Sequence, residues 1–365
     1  MAGTGHAHLR DDGDTVLRVE DLVVEFKVGR HATVKAVSGI SFDVIRGETL
    51  GIVGESGCGK STTGKAIMQI PRPTSGSIVF EGMDLPALKG EELRTARTRV
   101  QMIFQDPISS LNPRRTVRDS VLEPLEIWKR GTKEEREQLV DDLLEEVGID
   151  PERAKESRPH QFSGGQCQRI SVARALVLDP TLIICDEPVS ALDVSVQAQV
   201  LNMLEDLKEK HGLTLVFIAH DLAVVKNISD RVAVMYLGKL CEIANADDLY
   251  ARPAHPYTNL LLESIPVPDP DADHSASDII GEPPSPIAPP SGCRFHPRCP
   301  HADQTCVDEE PTLQPMGDGH FVACHHPQTT EVSMRRGSDA DTAPDTEATP
   351  EPLEPVGIDE SPTEG

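Results

Sequence analysis

A glycine-rich segment near the start of the chain carries the residue types that bind phosphate. It reads GESGCGKS from Gly54 to Ser61 and fits the pattern G-x-x-x-x-G-K-[ST] between an apolar run and a helical pattern. Glycines let successive backbone N–H groups point at phosphate oxygens, and the following helix N-terminus adds partial positive charge. We predict that Lys60 reaches the β- and γ-phosphates of a nucleotide and that the Ser61 hydroxyl binds Mg²⁺. The predicted nucleotide contacts here are Gly54, Glu55, Ser56, Gly57, Cys58, Gly59, Lys60, Ser61 and Thr62.

Two further apolar runs end in side chains suited to phosphoryl transfer. Asp186 follows the run LIIC, at the place where a carboxylate that holds Mg²⁺ next to a phosphate loop is expected. Glu187 is adjacent and could orient or activate the attacking water. His220 ends the run LTLVFIA and could donate to the γ-phosphate. Each of these residues alone is more often structural, and the phosphate loop is what favours a catalytic role for them.

Short apolar runs alternate with helical patterns along the chain, and this alternation predicts an α/β domain. The segment 133–149 has apolar residues at helical spacing within a charged, helical stretch over 90–160. The predicted strands are 15–26, 32–47, 48–53, 181–188, 213–220 and 231–243, and helical signals fill 60–70.

The string FSGGQCQR, from Phe162 to Arg169, closely resembles the signature motif of the ATP-binding cassette (ABC) proteins that power membrane transporters. The resemblance covers residues 16–265. It implies a P-loop NTPase of the ABC type, with a RecA-like α/β core, an antiparallel β subdomain and a helical subdomain at about 90–165. It also implies that ATP is hydrolysed between two chains, because the signature of one chain meets the γ-phosphate held by the other.

The resemblance also assigns roles to single residues. Gln105 resembles the loop glutamine that touches Mg²⁺, which it would share with Ser61 and Asp186. The implied catalytic residues, which also contact ATP together with Asp186, are Lys60, Gln105, Glu187 and His220. The implied contacts to the partner's ATP are Ser163, Gly164, Gly165, Gln166 and Asp193. Phe26 and His31 are both candidates for the residue that stacks on adenine.

One residue departs from the family pattern. Cys167 follows the signature glutamine, where a basic residue is common. That position does not contact phosphate in the family, so we expect no loss of activity. We expect inert core thiols at Cys167 and at Cys58, Cys185 and Cys241.

Three further strings resemble the ATPase chains of oligopeptide and dipeptide importers. They are DEPVSALDVSVQAQVLNML at 186–204, HPYTNLLLESIP at 255–266 and GCRFHPRCPHADQTC at 292–306. Such systems pair two related ATPases with two permeases and an extracellular binding protein. The resemblance implies a chain that docks peripherally on permeases at the cytoplasmic face of the membrane, through the segment 90–165 after Gln105. Peptides are the implied cargo, and nickel, glutathione and short sugars are the alternatives within the group.

Composition divides the chain into four predicted parts. We expect a flexible arm at 1–15, a nucleotide-binding domain at 16–250, a C-terminal region at 251–330 and a disordered acidic tail at 331–365. Pro is dense over 253–300, and the tail has almost no large apolar residue with which to offset its ordering entropy.

The C-terminal region carries four clustered cysteines, Cys293, Cys299, Cys306 and Cys324. In a reducing cytoplasm such clusters more often bind metal than form disulfides. None of the gaps fits the usual zinc spacing, whereas iron–sulfur clusters tolerate wider loops. The matching region of the family resembles a [4Fe–4S] site, which we expect here ahead of free thiols and zinc. The nearby residues His296, His301, His325 and His326 are alternative ligands.

The charge balance argues against nucleic acid as the main partner. The 365 residues include 35 Lys and Arg against 60 Asp and Glu, a formal net charge of −25, whereas phosphate backbones attract clustered cations. The acid-rich, lysine-poor composition fits the salt-rich cytoplasm of a halophile, and it equally fits an ordinary acidic enzyme. No apolar run is long enough for a membrane helix or a signal peptide, so we expect a cytoplasmic chain.

Three other functions share parts of this pattern. A cassette ATPase for DNA repair or chromosome structure carries long insertions between phosphate loop and signature, but here Ser61 and Ser163 are only 102 positions apart. A translation factor of this class has two fused cassettes, and only one phosphate loop is present. An iron–sulfur redox sensor with a vestigial nucleotide site is disfavoured because every nucleotide motif is intact.

Overall fold

Strands and helices alternate through most of the chain, as the sequence predicts for an α/β domain. The structure is a computed structural model that describes residues 4–10, 13–29, 32–265, 281–317 and 319–328. Its strands are β1 (Thr15–Val28), β2 (Ala32–Ile45), β3 (Thr49–Val53), β4 (Ser75–Phe80), β5 (Met83–Asp84), β6 (Val100–Ile103), β7 (Leu182–Asp186), β8 (Thr214–Ile218), β9 (Arg231–Tyr236), β10 (Lys239–Asn245), β11 (Gln314–Gly317) and β12 (His320–Val322). Its α-helices are α1 (Lys60–Ile67), α2 (Gly90–Arg99), α3 (Pro107–Ser110), α4 (Val117–Trp128), α5 (Lys133–Glu146), α6 (Pro151–Glu156), α7 (Gly164–Leu176), α8 (Val194–His211), α9 (Leu222–Ile228), α10 (Ala246–Ala251), α11 (Pro256–Glu263) and α12 (Gln304–Asp308).

A central sheet of eight strands positions the predicted site. Its order is β11-β12-β10-β9-β3-β8-β7-β6, and the five strands from β9 to β6 are parallel. Every residue of β3, β7 and β8 is buried, because helices or the second sheet cover both faces of a parallel sheet. The carboxyl ends of these parallel strands therefore meet at one edge, where the phosphate loop and the residues after β7 and β8 come together.

A second, antiparallel sheet packs on the central one. Its order is β2-β1-β4-β5. Leu17, Val19 and Phe42 of this sheet are fully buried, and they share one hydrophobic cluster with Leu50 and Ile52 of β3. Burial of these large apolar side chains is the main favourable contribution to the packing of the two sheets.

The C-terminal region extends the central sheet. β12 pairs antiparallel with β10, with Glu242 opposite Val322, and β11 pairs with β12. The C-terminal region predicted at 251–330 lies in the same compact unit, Met1–Val332, as the domain predicted at 16–250. The second unit, Ser333–Gly365, lies outside the described residues, as does the whole tail predicted at 331–365.

The predicted helical segment contains one strand. α2 and α3 to α6 are helical as expected, but β6 joins the edge of the central sheet, with Val100 paired to Leu182. Four residues are too few to show a strand period among charged helical neighbours. No helix among the described residues has the length and apolar character needed to cross a membrane.

Residues of the predicted N-terminal arm are bound to the rest of the chain. We expected a flexible arm over 1–15, yet the Arg10 guanidinium donates to Asp43 and Glu48 at 2.6 Å each. Both carboxylates are almost fully buried. The prediction of a flexible arm is wrong around Arg10 because the buried acids Asp43 and Glu48 need cationic partners, and Arg10 is one of them.

Thr4 ties this N-terminal segment to two distant parts of the chain. Its backbone N–H donates to the Gly39 carbonyl at 2.9 Å, and its carbonyl accepts from the Leu313 N–H at 2.9 Å. The side chain is 2% exposed. Residues 4–10 thus belong to the folded unit.

Candidate nucleotide-binding site

The phosphate loop leaves the end of β3 and enters α1. Its last glycine, Gly59, is the residue before α1 and has φ of 109°. A Cβ at this position would lie 2.3 Å from the Ala36 carbonyl oxygen, so only glycine fits without backbone movement. The close approach of β2 to the loop therefore fixes the shape of the predicted phosphate cradle.

The Lys60 side chain folds back across the loop. Its ammonium donates to the backbone carbonyls of Gly54 at 2.7 Å and Glu55 at 3.0 Å. The residue is 3% exposed. A cation held inside a ring of backbone groups at a helix N-terminus is a site for a phosphate anion.

Ser61 and Asp186 meet at the start of α1. The Ser61 hydroxyl donates to Oδ1 of Asp186 at 2.5 Å, and the Lys65 ammonium lies 3.9 Å from Oδ2. Burial raises the pKa of Asp186, and the Ser61 hydrogen bond and the Lys65 charge offset only part of that effect. The Asp186 carboxylate and the Ser61 hydroxyl are oxygen ligands of the kind that Mg²⁺ prefers. A bound cation would also offset the cost of burying the negative charge of Asp186.

Three of the predicted catalytic side chains converge after β6, β7 and β8. The Gln105 amide donates to Oε2 of Glu187 at 2.9 Å, and Nδ1 of His220 lies 3.4 Å from the same oxygen. The Glu187 backbone has φ of 48° and its N–H donates to the Ile218 carbonyl, which fixes the residue at the sheet edge. The Gln105 amide nitrogen makes the contact with Glu187, and the predicted contact of Gln105 with Mg²⁺ stays a prediction. The group is suited to hold a water next to a carboxylate base.

The signature residues begin α7. Ser163 caps the helix: its hydroxyl accepts from the Gln166 N–H at 3.3 Å, and the Gln166 side chain accepts from the Ser163 N–H at 3.1 Å. A Cβ on Gly165 would lie 2.5 Å from a Val196 methyl group, so the glycine lets α7 and α8 approach closely. Ser163 is exposed, and Gly164 is half-buried beside it.

Asp193 lies before α8 and its side chain makes no capping hydrogen bond to that helix. Among the described residues, no hydrogen bond or ion pair joins the loop at 54–62 to the signature at 163–166. One chain therefore supplies the two predicted half-sites without connecting them to each other.

The remaining sequence candidates fall in three places. Phe26 lies on β1 and is 39% exposed, while His31 is outside the described residues. Cys58, Cys167 and Cys241 are buried, as expected of core thiols. Cys185 is also buried, and burial raises the pKa of its thiol to about 12, which leaves it unreactive at neutral pH.

The four C-terminal cysteines come near one another. Burial is the main cause that raises the pKa of the Cys324 thiol to about 12, and the charges of Cys293, Cys299 and Cys306 act in the same direction. Among the described residues, the single-ion ligand group here consists of Asp303, Cys306 and His326, whose ligand atoms lie within 4.8 Å of one another. His296, His301 and His325 make hydrogen bonds to Cys293, Gln328 and Glu309, respectively.

The phosphate loop contacts the C-terminal region, and the sequence alone does not predict this contact. The Arg298 guanidinium donates to both carboxylate oxygens of Glu55, at 2.8 and 3.0 Å. The Tyr257 hydroxyl accepts from the Glu55 N–H at 2.8 Å. Both residues lie in strings that signalled the importer resemblance, but a separation of more than 200 positions hides the contact from local patterns.

Comparisons with known proteins agree with this geometry. A family model described as "ABC transporter" matches residues 37–190, and one described as "Oligopeptide/dipeptide transporter, C-terminal region" matches residues 241–306. The chain is 50% identical over 321 residues to the oligopeptide transport ATP-binding protein AppF of Bacillus subtilis (strain 168). That match covers 86% of this chain and 97% of AppF.

Solved structures show the same fold. The cbiO1 chain of Clostridium perfringens, part of the ABC transporter complex cbiONQ, matches with a TM-score of 0.58 and 29% identity, over 65% of this chain and 91% of that one. An ATP-binding cassette solved as a dimer in a post-hydrolysis state with ADP and phosphate matches with a TM-score of 0.57 and 29% identity, over 63% of this chain and 98% of that one. The chain belongs to the ABC transporter family, as an ATPase subunit that carries the C-terminal region of the oligopeptide and dipeptide transporters.

Proposed function

We propose that this chain hydrolyses MgATP at an interface with a second ATPase chain and thereby drives the import of peptides through membrane permeases. The observation that carries the proposal is the convergence of Gln105, Glu187 and His220 next to the Ser61–Asp186 pair. Phosphoryl transfer depends on positioning and on charge stabilisation, and these side chains provide both.

Each residue has a distinct role in this proposal. Lys60 and the backbone N–H groups of the loop bind the β- and γ-phosphates, while Ser61 and Asp186 hold Mg²⁺, which neutralises charge on the phosphates. Glu187 accepts a proton from the attacking water, and Gln105 holds the carboxylate in place through its amide. His220, whose Nδ1 lies 3.4 Å from Glu187 Oε2, donates to the γ-phosphate.

The second half of each site comes from the partner ATPase. Ser163 and the first turn of α7 offer backbone N–H groups and a hydroxyl at an exposed helix N-terminus. We infer that Ser163, Gly164, Gly165, Gln166 and Asp193 contact the nucleotide held by the partner. A dimeric relative of the same fold bound to ADP and phosphate supports this arrangement.

Peptide cargo is inferred from kinship, because AppF is described as an oligopeptide transport ATP-binding protein. The chain would lie peripherally at the cytoplasmic face of two permeases, which receive cargo from an extracellular binding protein. The exposed apolar side chains of Phe104, Ile108 and Ile127 support docking through the helical segment at about 90–165.

Reconstitution tests this function. The chain, its partner ATPase and the two permeases are placed in lipid vesicles, and phosphate release and uptake of a labelled dipeptide are measured. We expect both activities to require ATP, Mg²⁺ and the peptide-binding protein. Uptake of nickel, glutathione or an oligosaccharide in place of the dipeptide would contradict the cargo, and absence of ATP hydrolysis would contradict the whole function.

We further propose that Cys293, Cys299, Cys306 and Cys324 hold a [4Fe–4S] cluster with a structural role. A single zinc ion with Zn–S bonds of about 2.3 Å needs sulfurs within about 4 Å of one another. Only one of the four cysteines belongs to the single-ion ligand group among the described residues, which disfavours one zinc ion held by all four; a cluster tolerates wider loops between its ligands.

The ultraviolet–visible spectrum of anaerobically purified chain distinguishes the occupants. A broad absorbance band in the visible range that weakens on reduction would support the cluster. A colourless protein with stoichiometric zinc, or one with four titratable thiols and no metal, would contradict it.

A further inference from the structure

Arg298 joins the segment that carries the four C-terminal cysteines, 293–324 and hereafter the cysteine segment, to the phosphate loop. It ends a short 3₁₀ turn, His296–Arg298, directly before Cys299, and it is 4% exposed. Its two terminal nitrogens donate to the two oxygens of Glu55 at 2.8 and 3.0 Å. This bidentate geometry fixes both position and orientation of the Glu55 side chain.

Aromatic rings surround the ion pair. The Arg298 guanidinium lies 5.7 Å from the centre of the Tyr236 ring and 5.9 Å from that of Phe295. The Tyr236 hydroxyl accepts a further hydrogen bond from Arg298 at 3.3 Å. The Arg298 side chain is 3% exposed and that of Glu55 is 25% exposed, so removal of Glu55 leaves the Arg298 charge poorly solvated.

Glu55 is also held through its backbone. The N–H of Glu55 donates to the Tyr257 hydroxyl at 2.8 Å, and Tyr257 is fully buried. The Glu55 carbonyl in turn accepts from the Lys60 ammonium at 3.0 Å. A continuous set of contacts therefore leads from Arg298 through Glu55 to the lysine that is proposed to bind the phosphates.

We propose that Arg298 is a positioning residue for nucleotide binding: it holds the phosphate loop in its binding conformation through Glu55, so that ATP affinity depends on the fold of the cysteine segment. The inference rests on the proposed role of the loop in binding ATP. Since Cys299 is the next residue, any rearrangement at that thiol moves Arg298 by way of one peptide unit. The cysteine segment thus acts on the affinity for ATP, while the chemistry at Glu187 is left intact.

Arg298→Gln in the full chain, assembled with its partner subunits, tests the proposal. We expect KM for ATP to rise about tenfold while kcat at saturating ATP changes less than about twofold. Arg298→Lys keeps the charge and one hydrogen bond to Glu55, so it should recover part of the affinity. A merely structural role would lower stability and the amount of active protein without this separation of KM from kcat.

Arg231→Gln is the matched control. Arg231 lies at the opposite end of β9 from Tyr236, is also buried, and pairs with Asp43 and Glu48. Arg10 still contacts both acids in this variant, so the protein should fold with a lower melting temperature and with wild-type KM for ATP.

A double-variant cycle with Glu55→Gln tests whether Arg298 acts on KM through Glu55. The two changes remove the same contact, so Arg298→Gln with Glu55→Gln should raise KM no further than either change alone. Cys299→Ser should likewise add nothing to Arg298→Gln. Wild-type KM in Arg298→Gln, or a fully additive double variant, would overturn the proposal. Failure of the wild-type complex to bind ATP would instead contradict the proposed function.

Discussion

The phosphate loop and the signature segment both precede a helix, yet they are built differently. In the loop, Lys60 and Ser61 bond to groups elsewhere in the same chain or across the loop itself. In the signature, the side chains of Ser163 and Gln166 bond to each other's backbone and to no other described residue, and Ser163 is exposed. The first half-site is therefore organised by its own chain, while the second presents its donors outward. Changes in the loop should therefore alter nucleotide binding by one chain, whereas changes in the signature should alter ATP hydrolysis only in the assembled dimer.

Glu187→Gln should have the largest effect. The variant keeps its shape and its contact with Gln105 but loses the base, so turnover of the assembled complex should fall at least ~100-fold. ATP should remain bound, and this is measured by phosphate release and by nucleotide retention on gel filtration. The exposed acid Glu209 on α8 provides the control Glu209→Gln, which should keep wild-type turnover. Undiminished turnover in Glu187→Gln would remove Glu187 from the mechanism.

Lys60→Ala should weaken nucleotide binding by the separate chain. The loss of a charged donor to phosphate corresponds to roughly 10- to 100-fold in affinity. Calorimetry with MgATP on the full chain measures the change, and the thermal unfolding curve checks that the chain is folded. An unchanged affinity would mean that the loop does not bind the phosphates.

Ser163→Ala should affect the half-site offered to the partner's nucleotide and leave ATP binding by the chain's own phosphate loop unchanged. Turnover of the dimer should fall about tenfold because one donor to the partner's nucleotide is lost. The affinity of the separate chain for ATP should not change, although loss of the helix cap lowers its stability by about 1 kcal/mol. Ser163→Thr keeps the hydroxyl and should retain most of the turnover. Weaker ATP binding by the separate Ser163→Ala chain would break the distinction between the half-sites.

Cys167→Ser should have the smallest effect. The Cys167 thiol is fully buried and lies 3.3 Å from the Pro159 carbonyl oxygen, to which a serine hydroxyl can also donate. We expect turnover within about twofold of wild type, measured in the same phosphate-release assay. A tenfold loss would show that this position acts on the neighbouring signature residues.

The half-site organised by its own chain was also the easier one to predict. The glycine and lysine spacing of the phosphate loop is local, and Asp186 and His220 follow apolar runs whose parallel pairing brings them to one sheet edge. The contact of Gln105 with Glu187 joins residues 82 positions apart, and no local pattern specifies it.

The errors in the predicted fold have the same origin. β6 has only four residues, and its identity as a strand depends on pairing with Leu182 and its neighbours. The segment around Arg10 looks like a polar terminus because its partners, Asp43 and Glu48, are more than 30 positions away. Arg298 lies 243 positions from Glu55, so its ion pair becomes visible only in the folded chain.

The two backbone hydrogen bonds of Thr4 bear on how this protein should be shortened. One reaches Gly39 in β2, and the other reaches Leu313, just ahead of the C-terminal strand pair. Deletion of the first ten residues would therefore remove contacts to β2 and to the residue before β11 as well. A chain shortened in this way for crystallisation would lose interactions far from the cut in the sequence.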